Sequence, residues 1–341
     1  MKHLTLALLM ALPCTLFPHF TSAQFGFGKP KDVEMARNRT LIVIVAEENE
    51  KVIDQFKQKG LEDKIADYKS AIAEYNANMK EVVEQFWKFS SSIEYKTSDE
   101  VQNLFNNKSD KYAVIYCGMV KETGPMGQMQ SITTYSINLD YNYTDFKKGD
   151  VKDEKENAYH HLRLNVKLIE NLKNGATLYA VDFVEIFPSK AELAYGVQST
   201  QDYFSSRLDK TSGRESKDDL SANTHKLANK TLLISKRDID EKLDMDGAKA
   251  VYPFPVKIAD DQEINNEVMK SDSGYAFIQM AMVGGSYIAL VIDCGNRQPL
   301  TYTKPSFGSN ELAGIGINAG KNVHSINAKT LEALAKQVQG K

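Results

Sequence analysis

The hydrophobic positions of the chain form several short apolar runs and one long run with helical spacing. The segment NRTLIVI at 38–44 is a polar start followed by β-branched and aliphatic residues, which is typical of a buried strand. A similar segment, NKTLLIS, returns at 229–235, at an offset of 191 residues. The recurrence predicts that the chain contains two copies of one structural unit.

A second pair of matched segments supports the duplication. Residues 89–115 align without a gap to residues 252–278, at an offset of 163 residues. Both segments begin with alternating apolar positions, continue with a helix-capping pair, and end in an apolar run that opens with Tyr-Ala. The capping pairs are Thr97 with Glu100 and Asp260 with Glu263. Each copy is therefore expected to continue with a strand, a short helix and another strand.

Turn signals then indicate antiparallel strands in both copies. Gly284-Gly285 separates two apolar runs and predicts a tight hairpin, and Asn174-Gly175 predicts a type I′ hairpin in the first copy. A closing helix follows in each copy, beginning at Ser189 in the first and covering 329–338 in the second. The expected fold class is α/β, with two tandem β-α-β-α-β-β units whose helices cover a mixed sheet.

The first copy contains a long amphipathic helical insertion. The two offsets, 191 and 163 residues, differ by 28 residues, which are extra between the first and second strands. The apolar residues there are spaced alternately by four and three positions, as in a heptad repeat. We call this set the seam: Leu61, Ile65, Tyr68, Ile72, Tyr75, Met79, Val82 and Phe86. Gly60 is expected to separate the insertion from a preceding helix that carries Val52, Ile53 and Phe56.

Two alternatives remain for the seam. It either packs on its own sheet, as crossover helices do, or binds a protein partner or a second copy of the chain. The second unit makes the same crossover within 236–251, so the sheet itself does not require a long helix. On this ground the helix at 61–86 is predicted as the surface for a protein partner or self-association.

The ends and the middle of the chain differ in composition from the two units. Residues 1–23 have the layout of a cleaved secretory signal, with a charged start, an apolar run and small residues before Gln24. The predicted organisation is a signal peptide at 1–23, an N-terminal tail at 24–37, a first repeat at 38–208 with its insertion at about 60–88, a polar linker at 209–228 and a second repeat at 229–341. No further segment is long and apolar enough to predict a membrane span.

Charge and motif content exclude several classes of function. The formal net charge of -3 gives no basic surface for nucleic acid. The acidic stretch AEENE after the first strand lacks the glycines of a phosphate loop and would repel phosphate. DMDG at 244–247 does not place ligand oxygens at the positions of a calcium loop, and His160 and His161 are expected on opposite faces of a strand. We predict no metal site, no cofactor and no catalytic residue.

Two cysteines follow the predicted signal. Cys117 and Cys294 could form one disulfide in an oxidising compartment or remain two buried thiols. A nucleophilic pair of Cys117 with His160, His161 or His324 is the one catalytic arrangement that the sequence leaves open.

The order of elements resembles that of a known group of envelope domains. KLIENLKNGATLYA (167–180) and ALVIDCGNRQPLTY (289–302) are each a strand, a glycine-containing turn and a returning strand. Over residues 38–341 the pattern resembles the N-terminal domain of TolB and the CsgG-type assembly proteins. The resemblance implies a non-catalytic role, in which the domain binds other envelope components or assembles with copies of itself.

We therefore expect an exported, non-enzymatic envelope protein that acts as an interaction or assembly module. Its expected location is periplasmic, outer-membrane-associated or extracellular. The alternative is an exported enzyme or small-ligand-binding protein with a site in the cleft between the two repeats, the ligand being unknown.

Overall fold

The computed structural model describes residues 24–123, 128–130, 152–153, 158–173, 175–185, 187–209, 223–283, 286–303 and 325–340. The predicted signal peptide and residues 210–222 of the predicted linker lie outside the described residues. The remainder of that linker is folded, because residues His225–Asn229 form a 3-10 helix in which Leu227 is buried.

The described elements divide into two halves. The strands of the first half are β1 (Gln24–Gly26), β2 (Thr40–Ile44), β3 (Ile93–Lys96), β4 (Tyr112–Thr123), β5 (Gln128–Gln130), β6 (Lys152–Asp153), β7 (Ala158–Leu168) and β8 (Tyr179–Phe183). Its α-helices are α1 (Pro30–Arg37), α2 (Glu50–Gln58), α3 (Asp63–Phe86), α4 (Ser98–Asn106) and α5 (Lys190–Leu208). The second half has strands β9 (Thr231–Ser235), β10 (Val256–Ala259), β11 (Tyr275–Val283), β12 (Ser286–Asp293) and β13 (Pro299–Tyr302), and helices α6 (Met245–Val251), α7 (Asp261–Val268) and α8 (Ala328–Val338).

The two halves share one sheet topology. The first sheet has the order β1-β8-β7-β4-β2-β3, with β5 beside β4 and β6 beside β7. The second has the order β10-β9-β11-β12-β13. In both, the three strands β3-β2-β4 and β10-β9-β11 are parallel, and the next two strands are antiparallel. The predicted fold class, two similar α/β units with mixed sheets, is confirmed.

The capping residues predicted from the sequence lie at the N-termini of the helices. The Thr97 hydroxyl accepts from the Glu100 N–H while the Glu100 carboxylate accepts from the Thr97 N–H, and Ser189 and Glu192 do the same at the start of α5. Asp260 accepts from the Glu263 N–H before α7. Gly60 has a φ of 66° and separates α2 from α3, as predicted.

The two predicted hairpins have different outcomes. Val283 pairs with Ser286, so β11 and β12 meet across the predicted Gly284-Gly285 turn, although those two glycines lie outside the described residues. The predicted tight turn at Asn174-Gly175 is wrong, because β7 ends at Leu168 and β8 starts only at Tyr179. After β7, residues Ile169–Asn171 form a 3-10 helix, and Ile169 and Leu172 are buried against the sheet. The burial of these two residues competes with a tight turn directly at the strand ends.

The segment 24–37 is folded rather than a tail. β1 pairs antiparallel with β8 and extends the edge of the first sheet. Helix α1 buries Val33 and Ala36 in the main hydrophobic core. The Arg207 guanidinium of α5 donates from Nε and Nη2 to the carbonyl of Gly28, both at 3.1 Å. Residues 24–37 therefore belong to the first half.

The two halves stack so that non-equivalent faces meet. Leu41 of β2 faces the main core, whereas Leu232, its counterpart at the 191-residue offset, faces the opposite side of the second sheet, towards α6 and α8. Conversely, Ile42 faces α4, whereas its counterpart Leu233 faces the main core. The α3/α5 face of the first sheet is thus set against the α7 face of the second, in a head-to-tail arrangement.

Helix α5 lies between the two sheets. Its first turn contacts the second half near the carboxyl end of β9, where the Ala191 N–H donates to Asn265 Oδ1 at 2.9 Å. Near its other end, Asp202 accepts a hydrogen bond from Gln298, which follows β12. Its buried residues are Ala191, Glu192, Leu193, Ala194, Tyr195, Gly196, Val197, Ser199, Thr200 and Phe204. Both sheets cover α5, and its buried apolar side chains belong to the same hydrophobic core as residues of both sheets. The two sheets therefore share one continuous core.

Candidate functional site

The seam is buried in the chain's own core. Six of its residues are at most 8% exposed: Tyr68, Ile72, Tyr75, Met79, Val82 and Phe86. Leu61 and Ile65 are partly buried and pack against the same core. The prediction that this helix presents its apolar face to a partner or a second copy is therefore corrected, and the alternative that it packs on its own sheet is what the structure shows.

The length of α3 follows from its position in the layer between the sheets. Its carboxyl end reaches the second half, where Gln85 Nε2 donates to the Met269 carbonyl at 2.7 Å. The Arg297 guanidinium stacks over the Phe86 ring at 4.3 Å from the ring centroid. The short helix α6 of the second half covers one sheet alone. The 28 extra residues thus allow α3 to contact both halves.

Helix α3 also closes the carboxyl end of β2. Asn76 Oδ1 accepts from the Ala46 N–H at 2.8 Å, and Asn76 Nδ2 donates to the Ala46 carbonyl at 2.9 Å. The Tyr68 hydroxyl accepts from the Asn49 N–H at 3.0 Å. These bonds satisfy backbone groups that leave the sheet after the last residue of the strand.

Replacing Asn76 by leucine is expected to lower the free energy of unfolding by about 1–3 kcal/mol, because both backbone groups of Ala46 lose their partner. Urea denaturation followed by circular dichroism measures this change. Asn78→Leu, on the same helix, is the matched control and should change stability by less than about 0.5 kcal/mol. Equal effects of the two substitutions would contradict the role given to Asn76.

The equivalent position in the second half forms a pocket between the two halves. It lies at the carboxyl end of β9 and beside the first turns of α5 and α7, and its volume of about 10 Å³ is room for about one water molecule. The first half contributes Ser189 and Glu192; the second contributes Ser235, Arg237, Asp238, Asp261, Ile264, Asn265, Phe277 and Ile278. The alternative function predicted from the sequence, a small-ligand or catalytic site between the two repeats, would lie at this pocket.

Arg237 contacts four carboxylates in this pocket. Its Nε lies 3.5 Å from Glu185 Oε1 and 3.4 Å from Asp238 Oδ1. Its Nη2 lies 3.3 Å from Glu192 Oε2, and its Nη1 lies 3.4 Å from Asp261 Oδ2. Two of the four carboxylates belong to the first half and two to the second. We call these five residues the Arg237 cluster.

The charges of the Arg237 cluster alter one another's titration. Burial raises the pKa of Asp238 to about 6, and the carboxylates of Glu192 and Asp261 add to the rise while Arg237 opposes it. Burial disfavours the charged guanidinium of Arg237, but the surrounding carboxylates outweigh burial and raise its pKa well above its usual range. Arg237 thus remains charged, and Asp238 changes charge at about pH 6.

No local pattern in the sequence predicts the Arg237 cluster. The segment SKRDIDE at 235–241 shows one arginine among acidic residues, a pattern that is common on solvated surfaces. Its partners Glu185, Glu192 and Asp261 come from three separate segments, and only the stacking of the two halves brings them together.

The two cysteines are free and buried on the core side of their sheets. Burial raises the pKa of the Cys117 thiol to about 12, although a hydrogen bond with Tyr75 opposes the rise. Burial also raises the pKa of Cys294. His161 lies on the other face of the first sheet from Cys117, so these two do not form a nucleophilic pair. His324, and the side chain of His160, lie outside the described part.

Neither Cys117 nor Cys294 is expected to react with a thiol reagent in the native protein at pH 8, because both are buried and their thiolate forms are disfavoured. Mass spectrometry of proteolytic peptides after labelling locates any modified cysteine. Ala73→Cys introduces an exposed thiol on α3 and provides the positive control. Labelling of Cys117 as fast as residue 73 would show that the core opens readily.

A second buried polar group lies on the face of the first sheet opposite the main core. Arg163 of β7 donates from Nε and Nη2 to the Asp182 carboxylate of β8 at 2.5 and 2.7 Å. His161 Nε2 lies 3.3 Å from Asp182 Oδ1. Burial disfavours the Asp182 carboxylate, but His161 and Arg163 outweigh burial and lower its pKa. In the register of β7 and β8, Arg163 lies directly opposite Asp182.

The described residues contain no group of three or more His, Cys, Asp or Glu side chains that could hold a metal ion. Asp244 of the DMDG segment caps α6 and accepts from the Gly247 N–H at 2.8 Å. In the same part of the chain, no helix is long and apolar enough to cross a membrane.

Comparison of the chain with protein-family models, with curated proteins and with solved structures finds no match. The resemblance to TolB N-terminal and CsgG-type domains therefore stays a prediction, and the structure alone supplies the arguments for function below.

Proposed function

We propose that the protein is an exported, non-enzymatic interaction or assembly module of the cell envelope, and that it binds its partner by adding a strand to a sheet edge. The observation that carries this proposal is that each sheet has an edge strand at the equivalent place, β3 in the first sheet and β10 in the second. Among the described residues, β3 pairs with β2 alone and β10 pairs with β9 alone.

The backbone of β10 leaves specific groups for such a partner. The carbonyls of Pro255 and Ala259 accept from Leu232 and Lys236, so alternate residues of this strand bond inward. Val256 and Ile258 accordingly direct their N–H and C=O groups to the outer side. An extended peptide can bond to such groups, as in known cases of strand addition.

The edge also carries a feature that limits unspecific pairing. Lys257 on β10 and Lys96 on β3 are charged residues of these short strands, and each is paired with a glutamate, Glu263 and Glu94 respectively. Charged residues on short edge strands reduce aggregation of sheets. The partner is therefore expected to be a specific extended segment.

Replacing Ile258 by proline tests this function, because proline removes the outward N–H and leaves the inward bonds of Lys257 and Ala259 in place. Ile258→Ala is the matched control, since it loses the same side chain and keeps the N–H. Envelope proteins captured by the wild type and by Ile258→Ala should be lost with Ile258→Pro. Capture of the same proteins by all three, with all three folded, would refute binding at this edge.

A second candidate function is the binding of a small ligand, or catalysis on one, in the pocket between the two halves. It is supported by the position of the pocket, since both halves line it and Arg237, Ser189 and Ser235 supply polar groups there. A thermal-shift screen of small charged compounds is the test. A true ligand should raise the melting temperature of the wild type and of Asp272→Asn, and should have a weaker effect on Asp261→Asn. If no compound shifts the wild type, this function is excluded for the compounds tested.

A further inference from the structure

The contact between the two halves carries an unbalanced charge. Glu185 and Glu192 come from the first half, and Asp238 and Asp261 come from the second, around the single guanidinium of Arg237. With all four carboxylates ionised, the cluster has three more negative than positive charges. Partly buried carboxylates that surround one guanidinium repel one another. One of the four carboxylates is therefore expected to hold a proton.

The two lysines next to the cluster in the chain are paired with carboxylates outside the cluster. Lys190 at the start of α5 pairs with Glu81 at 2.5 Å, and Lys236 lies 3.9 Å from Asp260. Ser325, beside the strand bridge between Ile239 and Ile326, contacts Asp240. The groups that face Asp238 are therefore Arg237, Glu192 and Asp261, with Glu185 on the far side of the guanidinium.

We propose that the junction between the two halves is proton-controlled: the first turn of α5 packs more tightly on the second half when the Arg237 cluster holds one proton than when it holds none. The proton resides on Asp238, which is the most buried of the second-half carboxylates in the cluster. Ionisation of Asp238 adds a fourth negative charge across the junction and weakens the contact of Glu192 and Ala191 with the second half.

The direction of the pH dependence follows from the raised pKa of Asp238. The folded protein binds this proton up to about pH 6, whereas the ordinary value for an exposed aspartate is 3.8. The stabilisation by the proton is complete below about pH 4 and is lost as the pH rises to about 6. Above that pH the junction stays in its weaker state.

The Ala191 amide reports directly on this junction, because its N–H donates to Asn265 Oδ1 of the other half. Its hydrogen exchange should be measured in the full chain and in Asp238→Asn at the same pH, so that intrinsic exchange rates cancel. At pH 7.5 we expect Ala191 to be protected more strongly in Asp238→Asn, by about tenfold or more. At pH 5 the two proteins should agree within about twofold.

Two controls accompany this comparison. The Val101 amide donates to the Thr97 carbonyl in α4, far from the junction, and its protection should be unchanged. Asp272→Asn removes an exposed carboxylate of the second half and should behave as the wild type. Equal protection of Ala191 in the wild type and Asp238→Asn at pH 7.5 would overturn the proposal.

Glu192→Gln provides an independent test if Asp238→Asn does not fold. Glutamine retains the capping bond to Ser189 and removes one of the charges that favour the proton on Asp238. The pH at which Ala191 protection falls should move down by about half a unit or more. An unchanged midpoint would show that the cluster does not control the junction.

Discussion

Replacing Met79 by aspartate is expected to prevent the first half from folding stably. Met79 is 1% exposed in the middle of the seam and belongs to the core that both sheets share. A carboxylate at this position lies among the apolar side chains of that core, and the loss of the apolar contacts adds to the cost. The expected loss exceeds about 3 kcal/mol, which is a large part of the stability of an ordinary domain.

Thermal denaturation of purified protein measures this effect, and Ala77→Asp is the matched control. Ala77 lies on the exposed side of the same helix, so the same new carboxylate enters the same element without entering the core. If Met79→Asp does not accumulate, Met79→Ala should still lower the free energy of unfolding by about 2–4 kcal/mol. Retention of the wild-type melting temperature by Met79→Asp would restore the seam as a partner surface.

Replacing Asp182 by leucine is expected to cost about 3–5 kcal/mol, because it leaves the buried Arg163 guanidinium without its carboxylate. The double variant Arg163→Met with Asp182→Leu should recover much of this loss, since both charges are then absent. Asp110→Leu, at an exposed position, should have little effect. Chemical denaturation of the wild type, Asp182→Leu, Arg163→Met and the double variant gives the coupling energy of the pair.

The same pair gives a prediction for acid. The pKa of Asp182 lies below its ordinary value of 3.8 in the folded protein. Its contribution to stability is therefore present above about pH 4 and is lost as the pH falls through the folded value. The double variant should lose less stability than the wild type below pH 4. If both lose stability equally, Asp182 is not the group that titrates.

The two similar α/β units and most helix starts could be predicted from sequence because the signals within each unit are local. The β-branched runs and the capping pairs at Thr97 and Ser189 depend on neighbouring residues alone. The Asn174-Gly175 turn failed for a non-local reason. Burial of Ile169 and Leu172 against α4 competes with a tight turn, and the sequence does not show that surface.

The candidate site could not be predicted in the same way. Heptad spacing shows which side of α3 is apolar, but it does not show what covers that side. A partner, a second copy and the chain's own sheet all demand the same pattern. The Arg237 cluster depends on the head-to-tail stacking of the halves, and no periodicity encodes this stacking.

The stacking also makes the surroundings of the two closing helices, α5 and α8, unequal. Helix α5 ends the first unit and is apolar enough to be covered by a following sheet. Helix α8 occupies the corresponding place in the second unit, but it buries only Leu331, Leu334 and Ala335, and its remaining surface carries Lys329, Glu332 and Lys336. Helix α8 therefore keeps one charged face in solvent, whereas α5 is covered on more than one side.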